Sequence, residues 1–184
     1  ALALTQANMV AENLGMPSTI KVIQTTGDIK AETSLKQLGG KEVFTKELDN
    51  ALLNDEADIA VHSLKDVPGI IHPELDIIAV LPRADARDVL IGANDFNEIP
   101  HSANFGTSSP RRAAQILALR PDLNIIEFRG NVETRLKKID TGVAHASLLA
   151  AAGLERLDII SILNNYGANG VNWRYIPVTE MTPA

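Results

Sequence analysis

The chain has 184 residues, 45% of them hydrophobic and only 4% aromatic, with a formal net charge of −6. That length and apolar content support one large or two small packed domains, and the acidic balance argues against a protein that coats nucleic acid or anionic membrane. Zero cysteines exclude disulfides, thiolate metal sites and a cysteine nucleophile within these residues; with no membrane-length apolar run and no signal-peptide pattern, a soluble cytoplasmic protein is expected.

Residues 1–14 have a helical pattern, with Leu4, Met9, Val10 and Leu14 spaced to share a face and Gly15 and Pro17 closing it. The helix has no lead-in, so a strand is expected before it. Residues 19–25 are β-branched and partly alternating, which predicts a strand ending in a Thr26-Gly27-Asp28 turn. Residues 38–41 form a Gly-Gly loop, and residues 42–53 a helix with Val43, Phe44, Leu48, Leu52 and Leu53 as its buried stripe. A short apolar strand at 59–61 runs into His62-Ser63-Leu64-Lys65-Asp66-Val67-Pro68, and another is predicted at 75–81. After a charged, irregular stretch, 89–91 reads as a strand and 93–104 as a polar crossing into a second domain.

The second half repeats the grammar. Phe105 leads to Gly106-Thr107-Ser108-Ser109-Pro110 and a helix to Leu119; a strand at 125–128 runs into Arg129-Gly130-Asn131 and a helix at 132–139; a small-residue apolar segment at 147–152 precedes Arg156. Residues 171–184 are extended and contain proline. Strands alternating with helices in both halves predict an α/β protein of two lobes with a central cleft, residues 1–97 and 98–179.

The strand ends carry the chemistry. Pro68 and Val67 stop regular structure after Ser63, Lys65 and Asp66, placing them at a rim, although Ser-x-x-Asp and Asp-x-Pro are also ordinary turn chemistry. Ser109 is a good N-cap and Pro110 suits the first helical position, so a helix starts there with free amides. Arg111 and Arg112 in that first turn oppose the helix dipole, a cost that vanishes if an anion sits at the helix end. Arg129, Arg135 and Arg156 repeat the theme, so a polyanionic ligand is expected; Lys137 with Lys138 reads as a solvated face and Lys46 with Glu47 as an ordinary surface pair. Asp66 is the single acid opposed to this cationic set. His62 reads as packed or orienting, and the four histidines at 62, 72, 101 and 145 have no metal-ligand spacing.

The chain resembles the porphobilinogen deaminase family. The matching pieces are Leu2-Ala-Leu-Thr-Gln6-Ala, Gly39-Gly-Lys41 with Phe44-Thr-Lys-Glu-Leu48, Ala57 through Pro68, Gly106-Thr-Ser-Ser109, Arg111-Arg-Ala-Ala-Gln115, Arg129-Gly-Asn-Val132 with Thr134-Arg-Leu136, and Leu149 through Arg156, in family order over nearly the whole chain. The resemblance implies a two-lobed architecture like type II periplasmic binding proteins, residues 180–184 returning to the first lobe, and a transferase joining four porphobilinogen units with release of ammonia to give hydroxymethylbilane. It further implies a dipyrromethane cofactor bound through a cysteine of a third domain, which is not among these residues. Asp66 matches the catalytic aspartate. Arg111, Arg112, Arg129, Arg135 and Arg156 match arginines that hold acetate and propionate carboxylates, and Gln6, Lys41, Ser63, Lys65, Thr107, Ser108 and Ser109 match supporting contacts. A monomer binding neither nucleic acid nor membrane is expected.

The chain departs from the family pattern at several points. An arginine and a serine expected before Leu2 and a Gly-Gln-Gly segment expected after Ala184 lie outside it. Gln37 stands where a lysine is usual, Glu42 where a glycine is usual, Pro110 where a leucine is usual, and residues 143–145 where an acidic turn is expected. These 184 residues alone are expected to be inactive. The competing reading is a non-catalytic two-lobed module for small anions.

Overall fold

The computed structural model describes residues 2–29, 44–167 and 170–183. They fall into two compact units, Ala1–Pro82 and Arg83–Ala184, so the break lies ahead of the boundary expected near residue 97. The loop at 38–41 with Lys41, Gln37, and the first residues of the helix expected at 42–53 lie outside the described residues.

In the first unit, α1 spans Leu2–Leu14, the short α2 Thr26–Ile29, and α3 Lys46–Leu53. Glu47 is no mere surface residue: its Oε1 accepts from the backbone N–H and hydroxyl of Thr26 at 3.1 and 2.5 Å, capping the start of α2. Those bonds, the Thr26 hydroxyl first, hold the Glu47 carboxyl below its ordinary pKa. The strands expected at 19–25, 59–61 and 75–81 do not form ladders; among the described residues this unit has no strand, and Val22, Ile78 and Val80 are exposed. Apolar, β-branched sequence supplies a tendency to extend, whereas a strand exists only when a neighbour takes its backbone N–H and C=O groups.

The second unit is built on a five-stranded mixed sheet in the order β3-β2-β4-β1-β5. Its strands are β1 Asp88–Ile91, β2 Asn104–Gly106, β3 Asn124–Ile126, β4 Ala146–Ala150 and β5 Trp173–Tyr175, with helices α4 Pro110–Leu119, α5 Val132–Asp140 and α6 Ala151–Arg156. β2 runs parallel to β3 and to the central β4, and β1 is antiparallel to β4 and β5. Both faces are covered. Leu90, Phe105 and Leu148 pack on one side with Ile116 of α4, and Val89, Ile91 and Leu149 on the other with Leu136 of α5 and Leu154 of α6. This explains why β1 is apolar at every position after Asp88, since a strand buried on both faces cannot alternate.

The stretch 93–104, expected to be a polar crossing, is anchored in this core. Ala93, Phe96, Ile99 and Ala103 are buried, and a 3-10 turn forms at Phe96–Glu98. Within residues 180–184, Met181 is buried in the same core, and Thr182 exchanges bonds with Gln115 of α4, donating at 2.7 Å and accepting at 3.1 Å.

Gly106, which ends β2, lies under the buried ring of Phe128; a Cβ there would stand 2.5 Å from the ring. Because a ring held in a packed core yields little, Gly106→Ala is expected to cost about 1–3 kcal/mol by overpacking. A lowered chemical-denaturation midpoint with unchanged slope checks this.

Candidate functional site

The parallel strands gather the second unit's polar residues at one sheet end. Gly106, Ile126 and Ala150 close β2, β3 and β4 there, and each strand leads on into a helix. Carboxyl ends of parallel strands are where open α/β sheets receive ligands. The antiparallel β1 adds the residue that begins it, because Asp88 pairs in register with Ala150.

After β2, Thr107, Ser108 and Ser109 are tied into the turn. The Thr107 hydroxyl accepts from the Ser109 N–H at 3.1 Å, the Ser108 hydroxyl from the Phe128 N–H at 2.9 Å, and the Ser109 hydroxyl caps α4 by accepting from the Arg112 N–H at 3.4 Å. Pro110 occupies the first turn as expected. This leaves Thr107 buried and only Ser108 and Ser109 partly accessible.

Arg111 and Arg112 do have the anion that the helix dipole requires, and it is internal. Arg112 Nη2 donates to Asp88 Oδ1 at 2.6 Å and Arg111 Nη2 to Asp88 Oδ2 at 2.9 Å. Arg112 Nη1 also donates to the Leu148 carbonyl at 2.8 Å, and Arg111 Nη1 to the Thr182 carbonyl. Asp88 carried no sequence signal beyond its place in an irregular charged stretch. An acid opening an otherwise apolar, doubly buried strand is the feature that marks it.

After β3, the Arg135 Nε on α5 donates to the Gly130 carbonyl at 2.9 Å, and Asn131 caps α5 by accepting from the Thr134 N–H at 2.8 Å. Gly130 adopts φ of 116°, which a side chain rarely tolerates, and its turn brings Arg129 alongside. Lys138 is not a solvated residue: its Nζ donates to the Arg129 carbonyl at 3.0 Å and lies over the Phe128 ring. Burial, followed by the positive charges of Arg112 and Arg129, holds the Arg135 guanidinium below its ordinary pKa. Arginine does not surrender its proton in practice, so the Arg135 guanidinium stays charged while buried beside other cations. Arg156 ends α6, with its Nε buried and unpartnered among the described residues.

The first unit carries a separate set. Ser63 donates to Gln6 Oε1 on α1 at 3.0 Å, so these two expected contacts do meet. Leu64–Asp66 form a single 3-10 turn that leaves Lys65 and Asp66 exposed, consistent with a rim. Lys41 lies outside the described residues. His62, beside them, is half-buried, and desolvation lowers its pKa against the opposing pull of Asp49 and Asp66.

Because the folded state prefers neutral His62, its contribution is complete above the ordinary histidine pKa of about 6.5 and is lost as pH falls from there toward the lowered value. Thermal unfolding of wild type and His62→Gln at pH 7 and pH 5 is expected to show the larger acid-side loss in wild type. Equal losses refute it.

Among the described residues, no cluster of three or more metal-binding side chains occurs and no helix is long and apolar enough to cross a membrane.

Residues 1–184 match the family model described as porphobilinogen deaminase, dipyromethane cofactor binding domain. A porphobilinogen deaminase of Orientia tsutsugamushi is 47% identical over all of this chain, which spans 61% of that protein. That of Paracoccus denitrificans is 49% identical over 88% of the chain and 55% of its own length, and that of Campylobacter curvus 42% identical over the whole chain and 59% of its length. The chain therefore spans between half and two thirds of these curated relatives. With a family model matching from end to end and two relatives aligned over the whole chain at more than 40% identity, the chain belongs to the porphobilinogen deaminase family.

Proposed function

We propose that this chain is the ligand-holding portion of a transferase that condenses four porphobilinogen molecules head to tail. The balanced reaction takes four porphobilinogen and one water to hydroxymethylbilane and four ammonia, within tetrapyrrole biosynthesis. The observation that carries this reading is the gathering of Arg111, Arg112, Arg129 and Arg135 at one sheet end, where Arg135 is buried close to Arg112 and Arg129. Porphobilinogen and its oligomers bear an acetate and a propionate on every ring, so each unit brings two carboxylates to such a cluster.

The same residues fit the dipyrromethane group named in the family description. Arg111, Arg112, Arg129, Arg135 and Arg156 would hold its carboxylates, with Thr107, Ser108 and Ser109 lining the turn; Gln6, Lys41, Ser63 and Lys65 are further proposed ligand contacts. When bound, that group supplies a covalent primer on which the product is built. The chain has no cysteine, so the thioether that anchors the primer would come from a residue beyond these 184.

Asp66 supplies the remaining chemistry. Departure of ammonia from porphobilinogen leaves positive charge on the pyrrole, and a fixed carboxylate near the pyrrole nitrogen lowers the energy of that charge and takes up or guides protons. The protein is proposed to act as a cytoplasmic monomer on this small-molecule substrate.

Intact-mass measurement of the full-length protein, followed by ammonia release on adding porphobilinogen, tests the reading. The expected result is a mass exceeding that of the polypeptide by one dipyrrole and stoichiometric ammonia. A bare polypeptide mass with no ammonia released overturns it.

A further inference from the structure

The buried acid that neutralises the arginine pair is more than a structural counter-ion. We propose that Asp88 is a positioning residue for ligand carboxylates, holding the Arg111 and Arg112 guanidiniums in the orientation that leaves their remaining N–H groups for a ligand. This deepens the functional reading above and rests on it.

Three observations carry the inference. Asp88 divides its two oxygens, one to each arginine, while its own side chain is 4% exposed; such a carboxylate has no room to receive a ligand itself. Each guanidinium is then fixed at a second point, Arg112 on the Leu148 carbonyl and Arg111 on the Thr182 carbonyl. A long side chain held at two points has lost its rotamer freedom before any ligand arrives, and that preorganisation strengthens binding. The Arg112 Nε, moreover, is buried without a partner among the described residues, an unused donor on a side chain otherwise immobilised.

Charge balance points the same way. Arg111 and Arg112 bring two positive charges to the first turn of α4 and Asp88 returns one, while the buried Arg135 lies close enough to Arg112 to feel its charge. Without it, mutual repulsion would drive the two α4 guanidiniums apart toward solvent. With it, a residue of positive charge persists and selects ligands with more than one carboxylate. The acid is placed by topology: only a strand antiparallel to β4 begins where the parallel strands end, and Asp88 is the first residue of that strand.

The test uses the full-length protein carrying Asp88→Asn, compared with Leu163→Ala, which opens a cavity in the core on the α5 and α6 side. Both are expected to unfold at lower temperature than wild type. Asp88→Asn is expected to retain less than a tenth of the covalent dipyrrole, read by intact mass and by the coloured adduct of dipyrroles with an acidic aldehyde reagent, while Leu163→Ala loads fully. If Asp88→Asn does not fold, Asp88→Glu decides the matter: it keeps the charge but displaces it by a methylene, and loading is expected to fall at least threefold. A folded Asp88 variant that loads like wild type overturns the positioning role alone. A wild-type protein without dipyrrole overturns the functional reading, and this one with it.

Discussion

Asp66→Ala in the full-length protein is expected to lower turnover of porphobilinogen by at least a hundredfold while leaving folding intact. The two halves of this expectation come from different observations. Asp66 sits exposed on a single 3-10 turn whose backbone bond, from the Asp66 N–H to the Ser63 carbonyl at 2.9 Å, does not involve its side chain. Exposed side chains away from such constraints change stability by no more than about 0.5 kcal/mol on substitution. Removal of one group that stabilises developing charge, by contrast, costs about 10²–10³ in rate. Asp66→Asn should lose nearly as much, because the amide keeps the shape and loses the charge. Asp66→Glu should recover part of the activity, limited by the displacement of the carboxylate, since misplacement by about 1 Å can cost a hundredfold. Single-turnover release of ammonia, with circular dichroism as the folding control, reads both. Near-normal turnover in Asp66→Ala removes the aspartate from the reaction.

What sequence revealed and what it hid divide along physical lines. α4 and α5 were legible because their ends are chemically marked: Ser109 and Asn131 cap them, and Pro110 fits the first turn. The strand ends after β2 and β3 were legible because glycine, hydroxyl and arginine residues interrupt apolar runs. The three strands expected in the first unit were misjudged because a pattern of side chains reports a preference for extension, and pairing depends on a partner that the local sequence does not contain. The stretch 93–104 was misjudged for the opposite reason. Its core contacts come from four residues, Ala93, Phe96, Ile99 and Ala103, whose spacing of three, three and four is hidden among polar neighbours and Pro100. Asp88 was invisible as a partner because the pairing spans more than twenty residues and is created by sheet register.

Arg112→Met is expected to be the most destabilising substitution at the site, at about 3 kcal/mol, well beyond Arg111→Met at about 1 kcal/mol. The difference comes from burial. The Arg112 side chain is 10% exposed and bonded to both Asp88 and the Leu148 carbonyl, so its loss leaves a buried carboxylate and a buried carbonyl short of donors. The Arg111 side chain is 28% exposed, and water can replace its bonds. If the buried pair is the cause, the damage should not add: Asp88→Asn combined with Arg112→Met is expected to cost about 1–3 kcal/mol less than the sum of the single variants, since the second change removes a charge that the first left stranded. Urea denaturation of the four proteins in that cycle, with the dipyrrole content of each recorded, measures the coupling directly. Strict additivity would mean that the two side chains contribute independently, and that the arginine owes its place to packing of its methylene stem against the sheet instead of to the carboxylate beside it.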